Sequence, residues 1–195
     1  MQTATRPVVN GVDTDALRGA IHAIAEDPSK GQTRWQVTTR WQGGTRSDTL
    51  VRSYNIGGQT VEKDFTISID EPCELCGTNQ YANPQEYLMA AMNACMTVGY
   101  VTACAMKGIE LEDLWIETQG EIDLRGFLGI DPDVKPGYDE IRYTVHIKAK
   151  NAGVHELNEV HDIVSALSPN RFNVAHAIRL DARLVVETAR DHTSR

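Results

Sequence analysis

The chain has 195 residues, enough for one domain with a modest appendage, and its 41% hydrophobic content is ordinary for a globular protein with a real core. A net charge of −8, with no cluster of Lys and Arg, argues against a phosphate backbone as partner, so no nucleic acid is expected. Met1 to Gly11 lacks a basic region followed by an apolar core, which points to a cytoplasmic protein, and four cysteines in such a chain read as free, reactive or metal-binding thiols rather than a disulfide framework.

In chain order, Leu17, Ile21 and Ile24 fall at helical spacing between Val12 and Asp27, and Pro28 with Gly31 ends that amphipathic helix. Trp35, Val37, Thr39 and Trp41 alternate with polar neighbours, predicting a strand over Arg34–Trp41 that Gly43-Gly44 turns back. Leu50, Tyr54 and Ile56 predict a second strand, and Gly57-Gly58 makes a tight hairpin into a third carrying Val61, Phe65, Ile67 and Ile69. The stretch Glu71–Ala82, E-P-C-E-L-C-G-T-N-Q-Y-A, has no period and is a candidate functional loop.

Asn83 to Lys107 predicts one long helix. Asn83 can cap it, Pro84 fits its first position, Glu86 completes a capping box, and Lys107 followed by Gly108 suits its end. No charge stands between Glu86 and Lys107 and apolar residues fall on every face, so the helix is expected to be buried all round. Such a run also has the length to span a bilayer, but Asn93, Thr97, Gly99 and Thr102 dilute it, and a membrane is not expected.

Beyond Gly108, Leu114, Ile116, Ile122 and Leu124 share a parity, Gly126–Gly137 is a Gly/Asp/Pro loop, and Ile141, Tyr143, Val145 and Ile147 form another strand. His155–Leu167 is an amphipathic helix broken at Ser168-Pro169, Ile178 to Val186 alternate in a last strand, and Arg190–Arg195 is a polar tail. Hairpins beside helices, without repeated strand-helix alternation, predict an α+β antiparallel fold, with a helical appendage over 1–32 and the main domain over 33–195.

Several residues are candidates to carry chemistry. Cys95 lies too deep in its helix for the positive N-terminal end to assist a thiolate, and from position alone it reads as an inert buried thiol. Cys73-x-x-Cys76 has the spacing of a dithiol redox pair or half a zinc site. The second half of a zinc site is missing, since only His155 and His161 stand at a loosely permitted spacing, so no metal is expected. Glu86 reads as a cap, the histidines are scattered, and neither a phosphate loop nor a dinucleotide fingerprint is present, so no cofactor is expected.

N-P-Q-E-Y-L-M-A-A-M-N-A-C, followed about twelve residues on by K-G-I-E-L-E-D-L, resembles the signature of the OsmC/Ohr superfamily, whose members include thiol-dependent hydroperoxide reductases related in chemistry to peroxiredoxins. The similarity extends from about Trp35 to Val186 and includes D-E-P before the loop. It implies an intertwined homodimer with antiparallel sheets around the long helix. It also implies that Cys95 is a peroxidatic cysteine attacking a small organic hydroperoxide, with a dithiol as reductant in a response to oxidative stress.

The arginine that assists the family's thiolate corresponds best to Arg46, with Arg40 in reserve. Two departures stand out: Gln85 occupies the place of a glutamate after N-P, and Ser168 that of the resolving cysteine before proline. Cys104 sits nine helical residues from Cys95, roughly 13 Å away on the opposite face, so Cys76 and Cys73 are the candidates for an internal resolving thiol. The alternatives are one-cysteine chemistry with an external thiol, a non-catalytic binding or redox-sensing protein, and a thiol enzyme acting on another electrophile.

Overall fold

The computed structural model describes residues 7–187, and the tail read at Arg190–Arg195 lies outside the described residues. The chain opens with a hairpin of β1 (Val8–Val9) and β2 (Val12–Asp13). Its two-residue turn has Asn10 at φ 53° and Gly11 at φ 78°, the conformation an Asn-Gly pair adopts at low cost. The Asn10 amide donates to the Ile109 carbonyl at 2.9 Å and accepts from Leu111 N–H at 2.9 Å, fastening the segment to a point about a hundred residues away. Asp13 caps α1 (Thr14–Glu26) by accepting from Ala16 N–H, and a 3-10 turn over Pro28–Gly31 follows.

A single strand is predicted over Arg34–Trp41, but the structure has two, β3 (Thr33–Trp35) and β4 (Thr38–Trp41), both paired with β5 (Ser47–Ile56). The register changes between Trp35↔Tyr54 and Thr38↔Leu50, an irregularity that puts one extra residue on β5 and interrupts β3–β4 at Gln36-Val37. Gly57 and Gly58, at φ 55° and 81°, turn β5 into β6 (Gln59–Ile69), so β5 lies between β6 and the broken pair. Trp35, Trp41 and Phe65 on this sheet are each more than 60% exposed.

At the end of β6 the buried Asp70 carboxylate gathers the following loop. It accepts from the N–H groups of Glu71, Thr78 and Gln80 and from the hydroxyls of Thr78 and Thr45. These hydrogen bonds, Thr78's foremost, hold its carboxyl well below the usual carboxylate range against the opposing effect of burial.

α2 (Pro84–Lys107) begins at the predicted capping box, with Glu86 N–H on Asn83 Oδ1 at 2.8 Å and Asn83 N–H on Glu86 Oε2 at 2.7 Å, and ends at Gly108 with φ 70°. β7 (Leu111–Gly120), a short α3 (Leu124–Phe127) and β8 (Ile141–Ala149) follow, β7 pairing antiparallel with β8. α4 (Val154–Leu167) and α5 (Pro169–Ala175) complete the helices. The core joins Met96, Tyr100, Cys104 and Ile109 to Val160 and Val164, packed on the inner residues of β7 and β8. Asn93, a polar residue in the apolar run, donates to the Ile116 carbonyl and accepts from Thr118 on β7. Buried Tyr100, pushed up to about 12 mainly by desolvation, has its hydroxyl 2.6 Å from His161 Nδ1.

The α+β antiparallel fold class holds, with three local corrections. First, α2 is covered on one face within the chain. Met92, Met96, Tyr100 and Cys104 are buried at four-residue intervals, whereas Leu88 and Val98 are 42% and 63% exposed. The helix passes for a membrane span by length and composition, but its buried stripe is packed on β7, α4 and α5 of its own chain. Second, Ile122 and Leu124 do not extend β7. The Tyr138 ring lies 2.7 Å from where a Cβ of Gly120 would stand, and Asp123 then caps α3 by accepting from Arg125 N–H. Third, Ile178–Val186 pairs with no strand among the described residues, and Leu180 and Leu184 are 88% and 89% exposed.

Asp70 yields a stability prediction whose sign is fixed by the depressed folded value. The contribution of the ionised carboxylate is fully present above the unfolded value of about 3.9 and is lost as pH falls through the folded value. Asparagine keeps one acceptor but turns the other oxygen into a donor. Asp70→Asn should therefore lower the melting temperature at pH 7 by roughly 5–10 °C, and the gap to wild type should narrow below about pH 4. A calorimetric pH series with a constant gap would contradict the role given to the carboxylate.

Candidate active site

The chemistry-bearing residue with the most defined surroundings is Cys95. It lies near the middle of α2, half-buried, beside the junction of α4 and α5. Pro169 creates that junction. It disfavours the helical region for the residue before it, and Ser168 accordingly adopts φ −70° and ψ 116° while Pro169 starts α5. A serine before a helix commonly caps it with its hydroxyl, but Ser168 makes no such cap bond. Its buried hydroxyl donates instead to Cys95 Sγ at 3.5 Å. Asn170 fixes the junction from the other side by donating to the Ala91 carbonyl on α2 at 2.8 Å.

Cys95 and Ser168 open onto a cavity of about 760 Å³. Its walls are predominantly apolar: Leu17 and Ile21 from α1, Val98, Gly99, Ala103 and Met106 from α2, and Ile163, Val164 and Leu167 from α4. The remaining polar groups at its edge are occupied. Thr102 bonds back to the carbonyls of Val98 and Gly99, and Lys107 pairs with Glu159 at 2.7 Å. The sulfur and its hydroxyl donor thus face an oily space sized for a small organic molecule. Gly99 makes the wall possible, since a Cβ there would stand 3.1 Å from a Val164 methyl.

The other residues singled out in the sequence are placed elsewhere. Arg46 follows the Gly43-Gly44 turn, where Gln42 N–H bonds the Arg46 carbonyl and Arg46 N–H the Gly43 carbonyl. Its guanidinium carbon lies 5.3 Å from the Tyr81 ring centroid, and its buried Nε has no hydrogen-bond partner among the described residues. Neither Arg46 nor the reserve Arg40, opposite Asp48 in the β4–β5 ladder, lines the Cys95 cavity of the same chain. Gln85 is exposed in the first turn of α2, Glu86 is committed to the capping box, and Cys73 and Cys76 are exposed on the loop before the helix, outside the cavity lining. Cys104 is completely buried, and desolvation raises its thiol above the ordinary range.

Leu17 and Ile21, within the helical appendage read over 1–32, form part of the cavity wall. Their helical spacing shows that α1 has an apolar face. What that face covers depends on the Asn10 clamp, which no local pattern reveals.

No curated protein matches the chain in sequence. Among solved structures, it is similar to an OsmC-like protein from Mycoplasma pneumoniae, with a TM-score of 0.57 and 17% identity, covering 73% of this chain and 87% of that one. It is also similar to an OsmC-like protein of unknown function from Vibrio cholerae, with a TM-score of 0.51 and 10% identity, covering 71% and 92%. At such identities the likeness speaks for the fold alone. The model of the OsmC-like protein family matches residues 77–183, more than half of the sequence and the part that holds α2, the Cys95 site and the Ser168-Pro169 junction, and the chain belongs to that family.

Proposed function

We propose that this protein reduces small organic hydroperoxides through Cys95, as a cytoplasmic homodimer recycled by an external dithiol. The observation that carries the reading is the pairing of Cys95 with a hydroxyl donor at the mouth of an apolar cavity, within an OsmC-like fold. The Cys95 thiolate attacks the distal peroxide oxygen, the O–O bond breaks, and an alkoxide leaves and takes a proton to become an alcohol. The sulfur, oxidised by two electrons, is left as a sulfenic acid. A first external thiol condenses with it, releasing water and forming a mixed disulfide, and a second thiol displaces Cys95 and restores it.

Supporting the external route is Ser168, whose hydroxyl occupies the position beside the sulfur where a resolving thiol would stand. Supporting the dimer are the apolar surfaces one chain leaves open: the Leu88 and Val98 side of α2, Trp35, Trp41 and Phe65 on the β3–β6 sheet, and the exposed apolar residues of the Ile178–Val186 segment. A half-buried guanidinium with an unused donor is a costly arrangement for an isolated chain. We assign the cation that assists Cys95 to Arg46 of the partner subunit.

Three measurements test this. Cys95→Ser should cut turnover of cumene hydroperoxide with a dithiol donor by roughly 10³-fold or more, the scale of loss on removing a nucleophile, and full retention of turnover would end the peroxidase reading. In Ser168→Cys, one equivalent of hydroperoxide should yield a disulfide between Cys95 and the introduced thiol in place of a trappable sulfenic acid. Persistent sulfenic acid in that variant would show that the two side chains do not meet. Light scattering should give twice the 21.6 kDa chain mass at micromolar concentration, and a folded monomer would remove the partner's role in the site.

A further inference from the structure

The loop between β6 and α2 holds two thiols that the Cys95 chemistry leaves unused. We propose that Cys73 and Cys76 form a second redox site, a dithiol–disulfide couple that exchanges electrons with external disulfides and dithiols independently of Cys95. Cys73 opens a 3-10 turn over Cys73–Leu75 and Cys76 closes it, with Cys76 N–H donating to the Cys73 carbonyl at 3.1 Å. A 3-10 turn advances about 2 Å per residue, so the two Cα atoms stand roughly 6 Å apart. That separation is within the roughly 4.4–6.8 Å a disulfide spans. Both side chains are exposed and both thiols are free, so a reagent can reach either and a bond between them is open to form.

The rest of the loop is built to keep the turn in place. Asp70 pins Glu71 on one side and Thr78 and Gln80 on the other. The Pro72 carbonyl accepts from Leu75 and Gly77 N–H at 3.0 Å each, and Asn79 N–H reaches the Glu71 carbonyl at 3.1 Å. At Gly77 a Cβ would stand 1.8 Å from the Glu71 carbonyl oxygen, so the chain passes there only as glycine. Cys76 itself holds φ 62°, a left-handed conformation that a side chain other than Gly or Asn adopts only where its surroundings require it. Two thiols held on one pinned turn lose little further freedom when they join. A metal is the competing occupant for a Cys-x-x-Cys pair, but among the described residues no group of three or more His, Cys, Asp or Glu forms a set that would complete one.

The exchange balances as follows. One loop thiolate attacks a small-molecule disulfide, forming a mixed disulfide and expelling one thiolate. The second loop thiolate then attacks the protein sulfur of that mixed disulfide, closing the Cys73–Cys76 bond and expelling the other thiolate. Two electrons leave the protein, and its two thiol protons go to the departing thiolates. A dithiol runs the sequence backwards.

The full-length Cys95→Ser protein isolates this site from peroxide chemistry, so failure of the peroxidase reading leaves the outcome unaffected. Equilibrated in oxidised and reduced glutathione, it should show by differential alkylation and mass mapping a single two-electron transition to a Cys73–Cys76 link within one chain, fully reversed by dithiothreitol. In the same background, Cys76→Ser should stop at a glutathione adduct on Cys73. Separate glutathione adducts on both cysteines at the oxidising end, a link between chains, or thiols that stay free throughout would each overturn the proposal.

Discussion

A helix of 24 residues with no charge between Glu86 and Lys107 has to be covered, and one chain covers only one side of it. The covered side is held by ordinary packing: Met96, Tyr100 and Cys104 against β7, β8 and α4, with Tyr100 satisfied by His161 and Asn93 by β7. The interior polar groups thus meet partners wherever the helix is buried, as the cost of stranding them requires. The Cys95 cavity lies where that coverage stops. Cys95 sits between the buried stripe and the open Val98 side, and α1 and the α4–α5 junction complete the wall that the sheets leave unfinished.

The position of Ser168 shows how a backbone constraint becomes chemistry. Proline at 169 fixes an extended residue before it, the break aims that residue's side chain back at α2, and the hydroxyl gives up its local cap to reach sulfur. A cysteine at that place would meet Cys95 through the same geometry, whereas serine brings only a hydroxyl to the sulfur.

Much of this is legible in the sequence because it depends on local rules. The capping box at Asn83 and Glu86, the glycine stop at 108, the Gly57-Gly58 hairpin and the break at Pro169 each rest on backbone preferences that a few adjacent residues determine. The Asn10-Gly11 hairpin has an equally local signal, which the stronger helical pattern that follows it obscures. The other misses are not local. Ile122 and Leu124 keep the parity of β7, but a tyrosine eighteen residues beyond Gly120 closes the strand there. Ile178 to Val186 alternates like a strand and finds no ladder, because a strand is defined by its neighbour and the described chain supplies none. Arg46 is marked by a turn and a resemblance, neither of which says on which side of the molecule Cys95 lies.

The four thiols separate by environment rather than by sequence pattern. Cys104 is sealed in the core, where burial favours the neutral thiol and keeps reagents out. Cys95 is half-buried beside a hydroxyl donor and an apolar space. Cys73 and Cys76 are exposed on a loop that one buried carboxylate helps to hold, so the Asp70 hydrogen bonds to Thr78 and Gln80 also keep those two sulfurs on one turn. Loosening Asp70 would therefore free the loop pair to react as separate thiols while leaving Cys95 and Ser168, held by Asn170 and Pro169 on the far side of the helix start, in register.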